Sequence, residues 1–490
     1  MTDDLRALSP RLAELCDETL AAAVPGPGRD MVARVRAKLA VPLTVTVAGG
    51  VSSGKSTLVN ALLGQRIAAV DAGECTRVVT EFRYDVHERA EVVGRDGAVV
   101  VLPLERGRVP EHLGRPTSEI AGVVVHLSNA LLRELAVVDT PGLNTVTEVN
   151  EEHTASFLGI SGIEGEQTAD AVSRADALVF LLPVLRQADA EVLRGFAKLF
   201  GGSGLSAASS IAVLSKVDRL DRSADPVAAA APIARRMAVE LRGVVSEVLP
   251  VVGLLAETAH AAVFTEADAR ALLAVAAITD ELDRDDMLLS PEDFLRFGLL
   301  PLDAPTRRRL LSMLDLFGLR VAIAAIDQGA RSAPALLRAF GERSGFDAVR
   351  AAVIDRFSGQ ADLFKTHAAL HDLRRASYLR TDPGNARLLR ALRSPLERIE
   401  LDGAMHRLQL LQVAHSVSVG DLLLPDHLLD DLLALSADQS AGAGVPDRQA
   451  AAAAAALWAE WGNDPRRSPD ESNWARVVRD AHAIRWEGTR

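Results

Sequence analysis

Only five lysines occur in the 490-residue chain: Lys38, Lys55, Lys198, Lys216 and Lys365. Two of them stand where a nucleotide site needs a compact ammonium rather than arginine's planar fork. Lys55 lies in Gly49-Gly50-Val51-Ser52-Ser53-Gly54-Lys55-Ser56-Thr57, a G-x-x-x-x-G-K-S pattern. Gly49 and Gly54 permit backbone angles and close approaches that a Cβ forbids. The amides from Ser53 to Thr57 then converge on a polyphosphate at a helix N-terminus. Lys55 would supply a point charge to the outer phosphates, and the Ser56 hydroxyl would ligate Mg2+.

Two further motifs follow in the order such a site requires. Asp139-Thr140-Pro141-Gly142 closes the apolar run Leu135-Ala136-Val137-Val138. Its Asp139 would hold a Mg2+-bound water, and the Gly142 amide would meet the γ-phosphate. Taken alone this tetrapeptide is also an ordinary turn; its position after a buried strand favours the phosphate role. Ser215-Lys216-Val217-Asp218 approximates the guanine-reading pattern Asn/Thr-Lys-x-Asp. The Asp218 carboxylate can accept two hydrogen bonds from guanine N1 and N2, which adenine does not offer, while the Lys216 stem lies along the base. Ser215 departs from the pattern but keeps a small hydroxyl able to tie this loop to the glycine-rich one. Thr76, between the P-loop helix and the next strand, is the expected switch threonine for Mg2+ and the γ-phosphate. Leu254-Leu255-Ala256, after the last strand, is expected to offer a backbone contact to guanine O6, with Leu255 as its centre.

The elements needed to position these residues are legible around them. The run Leu43 to Val47 reads as a strand and Leu58 to Leu63 as a helix. Strands are expected at Val78–Tyr84, on both sides of the Asp96-Gly97 turn, at Ile120–Leu127, Leu135–Val138, Ala177–Leu182, Ile211–Leu214 and Pro250–Leu255. Helices are expected over Asp189–Phe200 and Pro226–Val248, and residues 144–170 read as a polar loop. Strands and helices alternating in this way indicate an α/β fold with a mainly parallel sheet covered on both faces. Ahead of it, Leu5, Leu8, Leu12 and Leu15 define an amphipathic helix, stopped by Pro25-Gly26-Pro27-Gly28, and a second helix runs from Asp30 to Leu39. Beyond about residue 258 the pattern is helical and reads as an antiparallel bundle. All four tryptophans, Trp458, Trp461, Trp474 and Trp486, fall at its end, where they are expected to anchor the closing helices.

Composition narrows the function classes. An apolar fraction of 48% and a charged fraction of 24% belong to a folded protein, and the length asks for two or three domains. No apolar stretch approaches the ~18 residues that cross a bilayer, so membrane contact is expected to be peripheral. The acidic, amphipathic start is unlike a signal peptide. Two cysteines, Cys16 and Cys75, make neither a disulfide framework nor a metal site and favour a reducing cytosol. A net charge of −12 argues against a general nucleic-acid binder.

These motifs resemble those of the dynamin superfamily. Gly49 to Ser56 is similar to its P-loop, with Ser52 at its characteristic serine, and Gly73-Glu74-Cys75-Thr76-Arg77 is similar to its switch I. The stretches Asp71–Thr80 and Val251–Thr258 resemble the isoniazid-induced dynamin-like proteins of mycobacteria in particular. The resemblance implies a GTPase using GTP and Mg2+, with Ser52, Lys55, Thr76 and Gly142 as catalytic groups and Ser56, Thr76 and, through water, Asp139 around the metal. It implies an organisation of N-terminal neck helices (1–39), GTPase core (40–262), a helical completion of that core with the neck connection (263–345) and a helical neck and trunk (346–490). It also implies head-to-head dimerisation, with a second copy or a paralogous GTPase. The protein would work peripherally on the inner face of a bacterial plasma membrane, remodelling, fusing or maintaining it under envelope or drug stress. Leu422, Leu423 and Leu424 form a candidate membrane loop; the arginines Arg374, Arg375, Arg380 and Arg390 near Tyr378 are its rival. Two departures stand out. The family's P-loop glutamine is replaced by Val51, and Leu143 follows Asp-Thr-Pro-Gly, so neither position carries a side chain able to orient water. A ribosome-assembly GTPase resembling Era and a GTP-binding scaffold without turnover are the competing readings.

Overall fold

The computed structural model describes residues 8–68, 78–110, 112–142, 175–183, 209–220, 225–241, 244–400, 402, 405–406, 409–410, 413, 417, 422–437 and 448–487. Nine strands form one sheet: β1 (Leu43–Gly49), β2 (Thr80–Tyr84), β3 (Arg89–Gly94), β4 (Val99–Leu102), β5 (Ile120–Leu127), β6 (Leu135–Asp139), β7 (Ala177–Pro183), β8 (Ser210–Ser215) and β9 (Val248–Val251). Their order is β4-β3-β5-β2-β6-β1-β7-β8-β9. From β6 to β9 every pairing is parallel. β2 turns antiparallel to β6 while staying parallel to β5, and β3 runs antiparallel to both β5 and β4. The sequence explains the division. β6, β7 and β8 are nearly continuous apolar runs, and β1, with two threonines, is buried on both faces like them, as a helix-covered parallel sheet demands. β3 alternates buried and half-buried residues and joins β4 through the Asp96-Gly97 turn, where Gly97 takes φ 79°.

The helices follow in order. α1 (Leu8–Ala22) and α2 (Pro27–Ala40) precede the sheet, and α3 (Lys55–Leu63) leaves the glycine-rich loop. α4 (Pro226–Glu240), α5 (Gly253–His260), α6 (Glu266–Ala276), α7 (Glu281–Met287), α8 (Pro291–Arg296), α9 (Ala304–Asp327) and α10 (Ala333–Ser344) come next. The remainder are α11 (Phe346–Ala351), α12 (Ala361–Ser377), α13 (Ala386–Ala391), α14 (Arg393–Glu400), α15 (Asp426–Ala437), α16 (Arg448–Gly462) and α17 (Pro469–Glu487). Among the described residues no strand follows Val251.

Alternate residues of the parallel strands feed two cores. Val45, Val47, Val179 and Val213 face a cluster shared with α1, α2, α3 and α12. Ala48, Phe180, Ala212 and Leu214 face the opposite cluster, shared with α4, α6, α9 and α10. A third cluster closes the C-terminal helices around Trp458, which is fully buried and donates its indole N–H to Asp431 at 2.8 Å. Trp461 and Trp474 pack partly buried against it. The N-terminal helices lie on α12, where the Ser9 amide donates to Asp362 (3.2 Å), and on the turn after it, where the Gly28 amide donates to Asp382 (2.8 Å). A Cβ at Gly28 would sit 2.5 Å from Leu389 Cδ1 and 2.9 Å from Asp382 Oδ2, so a larger residue here has to displace both side chains.

Two expected elements are corrected. The last strand ends at Val251 and the chain turns helical at Gly253, because Leu255 and Ala256 are spaced to bury into the packed interior as a helix. The helix from Pro226 ends at Glu240. The expected loop over residues 144–170, the helix Asp189–Phe200 and the segment Asp71–Arg77, Thr76 included, lie outside the described residues.

Candidate nucleotide-binding site

The parallel register sets Val47 beside Asp139 on one neighbour and beside Val179 on the other, so β6, β1 and β7 finish at a common edge. Ligands of open α/β sheets bind at this edge. Gly49 leaves β1 with φ 150°, and a Cβ there would lie 2.5 Å from the Leu181 carbonyl oxygen. Gly54, at φ 97°, caps the N-terminus of α3. Lys55 is buried, and its ammonium donates to the Gly49 and Gly50 carbonyls at 3.1 and 2.9 Å. Burial pushes its pKa down, opposed by the Asp139 charge.

Asp139 is the counterpart. The Ser56 hydroxyl donates to its Oδ2 at 2.7 Å, while Oδ1 is buried with no hydrogen-bond partner. Burial raises its pKa to about 6 against the lowering effects of Ser56 and Lys55. An unpaired carboxylate oxygen at this depth costs roughly 1–3 kcal/mol or more. The site therefore favours a ligand that supplies positive charge or N–H and O–H donors. The Ser53 hydroxyl is likewise buried without a partner.

The other motifs converge on the same loop. Gly142 packs so closely on the P-loop that a Cβ would come within 2.7 Å of Val51 Cα. The Ser215 hydroxyl donates to the Ser53 carbonyl at 2.7 Å, which is the tie expected of a small hydroxyl at that position. Lys216 then takes a left-handed conformation (φ 58°) that starts the turn carrying Asp218. Lys216 and Asp218 line a cavity of about 170 Å³ together with Ser53, Gly54, Leu254 and Asp315. A phosphate-type loop, a buried carboxylate with a free oxygen and a base-sized cavity are thus contiguous.

The sequence matches the Dynamin family over residues 45–216. The isoniazid-induced protein IniC of Mycobacterium tuberculosis is 37% identical over 356 residues, spanning 71% of this chain and 69% of that protein. This chain belongs to the dynamin family. It carries a dynamin-like GTPase domain, and its nine-stranded sheet followed by helices is consistent with that assignment. The isoniazid-induced protein IniA of the same organism is 34% identical over 164 residues, or 30% of this chain and 25% of that one. A solved structure of an oligomerised bacterial dynamin pair aligns over 100% of this chain and 76% of its own, with 13% identity and a TM-score of 0.33.

Of the expected Leu254-Leu255-Ala256 stretch, Leu254 lines the cavity beside Gly253, while the Leu255 and Ala256 side chains point from α5 into the core. Of the three candidate membrane leucines, Leu422 is 1% exposed and packs in the C-terminal cluster, Leu424 is half-buried and Leu423 is 80% exposed. Insertion of all three is therefore excluded, since Leu423 alone of them is exposed. Of the rival arginines, Arg374 is paired with Glu400.

Sequence reading missed a buried clamp at the far end of α3. Asn60 Nδ2 donates to Glu257 at 2.7 Å, and its Oδ1 accepts from the amides of Ile67 and Ala68 at 3.0 and 2.8 Å. Arg66 stands 3.3 Å from the same Glu257, whose pKa is raised by burial. This clamp fixes Ile67 and Ala68 against α3 and α5. Its only sequence signal is a polar residue, Asn60, inside an apolar helical face.

The residues present fit Mg2+. Ser56 and Asp139 offer hard oxygen donors in contact with one another, and the orphaned Asp139 Oδ1 is the atom an aquated cation would satisfy.

Proposed function

We propose that this dynamin-like GTPase binds GTP and Mg2+ at the shared edge of β6, β1 and β7 and hydrolyses GTP slowly as a single chain. Turnover would rise when two GTPase heads meet, from two copies or from a copy and a paralogous GTPase. The observation that carries this reading is the continuity of Lys55, Ser56 and the half-satisfied Asp139 with the cavity walled by Lys216 and Asp218.

In this reading the amides from Ser53 to Thr57 bind the phosphates. Lys55 exchanges the carbonyls of Gly49 and Gly50 for phosphate oxygens, a swap in which its charge finds a stronger acceptor. Ser56, Asp139 through water, and Thr76 would hold Mg2+, which when bound neutralises phosphate charge. Asp218 and Lys216 select guanine, and the Gly142 amide senses the γ-phosphate. Val51 stands 57% exposed at the loop's mouth and cannot orient water. Placement of the attacking water then falls to Ser52, backbone groups, Thr76 or a partner head.

Action on a membrane is the second half of the proposal: peripheral contact on the inner face of the plasma membrane, remodelling, fusing or maintaining it under envelope or drug stress. Its support is the similarity to proteins named for induction by isoniazid and the exposed Leu423. Among the described residues no helix is long and apolar enough to cross a membrane.

The test is GTP turnover over a range of protein concentrations, with and without anionic liposomes, beside Lys55→Ala. Specific activity should climb with concentration or lipid and vanish in the variant. Activity per molecule independent of concentration would exclude partner-assisted turnover. Nucleotide binding without turnover would favour the scaffold reading, to which Val51 and Leu143 lend themselves.

A further inference from the structure

Helix α9 is broken at Asp315. Met313 and Leu314 before it, and Phe317 and Gly318 after it, are all buried, yet Asp315 between them adopts φ 50° and ψ −175°. That region of backbone space is essentially reserved for glycine and costs a side-chain-bearing residue roughly 1–3 kcal/mol. The surroundings hold the break in place. Thr258 on α5 donates its hydroxyl to the Met313 carbonyl. The Leu316 amide donates to Asp315 Oδ1 at 2.7 Å, which leaves Oδ2 with no bond to that amide. The outcome is that Asp315 lines the same cavity as Lys216, Asp218 and Leu254, although it lies nearly a hundred residues further along the chain.

We propose that Asp315 is a specificity-determining residue of the purine pocket, accepting a hydrogen bond from the exocyclic amine of guanine beside Asp218. The proposal rests on the guanine-nucleotide reading above and sharpens it. Asp218, with two oxygens, can serve N1–H and one amine hydrogen; the second amine hydrogen needs another acceptor. Asp315 is near enough to Asp218 for its charge to add to burial in raising that carboxyl's pKa, so the two lie at one edge of the cavity. Two carboxylates facing the same space repel, and a ligand amine relieves the repulsion. Backbone strain kept at a ligand wall is the pattern expected when function, rather than stability, fixes a residue.

Equilibrium binding of GDP and IDP, which lacks the amine, tests this with Asp315→Gly. Glycine adopts φ 50° and ψ −175° without strain, so this variant should melt no lower than the parent, which separates loss of function from misfolding. GDP affinity should fall about tenfold or more while IDP affinity holds, erasing the preference for GDP. Equal losses for both nucleotides, or no loss for either, would overturn the role. An unchanged GDP-to-IDP ratio with lost discrimination against 2′-deoxy-GDP would also overturn it, assigning the carboxylate to the ribose. Lys55→Ala should weaken GDP and IDP alike; if the parent protein binds neither, the guanine-nucleotide reading itself fails.

Discussion

Strand β1 has a buried lysine–aspartate arrangement at each end, and the two differ in one respect. At its start Asp176 is buried, with Oδ2 accepting the Thr44 amide at 2.9 Å and Oδ1 standing 3.7 Å from Lys38. Lys365 reaches the same corner from α12 and donates to the carbonyls of Leu39 and Val41. Burial raises the Asp176 pKa and the Lys38 and Lys365 charges oppose it. Asp176, Lys38 and Lys365 each have a partner within the protein, so the arrangement joins the N-terminal helices, the sheet and α12. At the strand's end Asp139 has one partner and one orphaned oxygen, and Lys55 rests on loop carbonyls. Similar side chains at similar depth thus separate into a structural junction and a ligand site by how completely their hydrogen bonds are met.

The comparison can be broken from either end. The largest effect is expected for Asp176→Ala, which leaves the Lys38 ammonium without its carboxylate and the Thr44 amide without its acceptor and should cost about 3 kcal/mol of stability, the low end for a broken buried pair because Lys38 remains 19% open. Denaturant unfolding measures it, and the folded protein should keep its nucleotide affinity. Lys55→Ala should do the reverse: stability nearly unchanged, nucleotide affinity down by roughly 1.5–3 kcal/mol, the worth of hydrogen bonds to a charged group. If both variants lose both properties, the two ends are not separate devices. Gly142→Ala should disturb the contact with Val51 at a cost of roughly 1–3 kcal/mol, as overpacking does, and lower GTP turnover more than GDP binding. Smallest is Leu423→Asp, expected to change stability by no more than about 0.5 kcal/mol because the side chain is largely exposed. Liposome flotation of that variant reads the membrane role without a folding penalty; unchanged flotation would remove Leu423 from it.

The ligand end was legible in sequence and the junction was not, for a physical reason. A phosphate site needs glycine, lysine and hydroxyl at fixed local spacing, so Gly49 to Thr57 announces itself, and short motifs at strand ends complete it. Asp176, Lys38 and Lys365 meet only through the fold, from positions separated by up to 327 residues. The strands of the parallel half were equally plain, since burial on both faces leaves continuous apolar runs. The strand expected through Leu255 failed because an apolar run of that length suits a buried helix as well as a strand. Asp315 gave no signal at all: an aspartate between two leucines looks like a solvated helix position until the break in α9 turns it to the cavity.

Calorimetric titration of the full chain with GDP and with ADP, in Mg2+, beside Asp218→Asn, bears most directly on the claim that the end of β1 is a guanine-nucleotide site. GDP should bind at least about tenfold more tightly than ADP, the hydrogen bonds to Asp218 being absent with adenine, and the variant should lose that preference. Equal affinity for the two nucleotides, or a preference that survives Asp218→Asn, would contradict it.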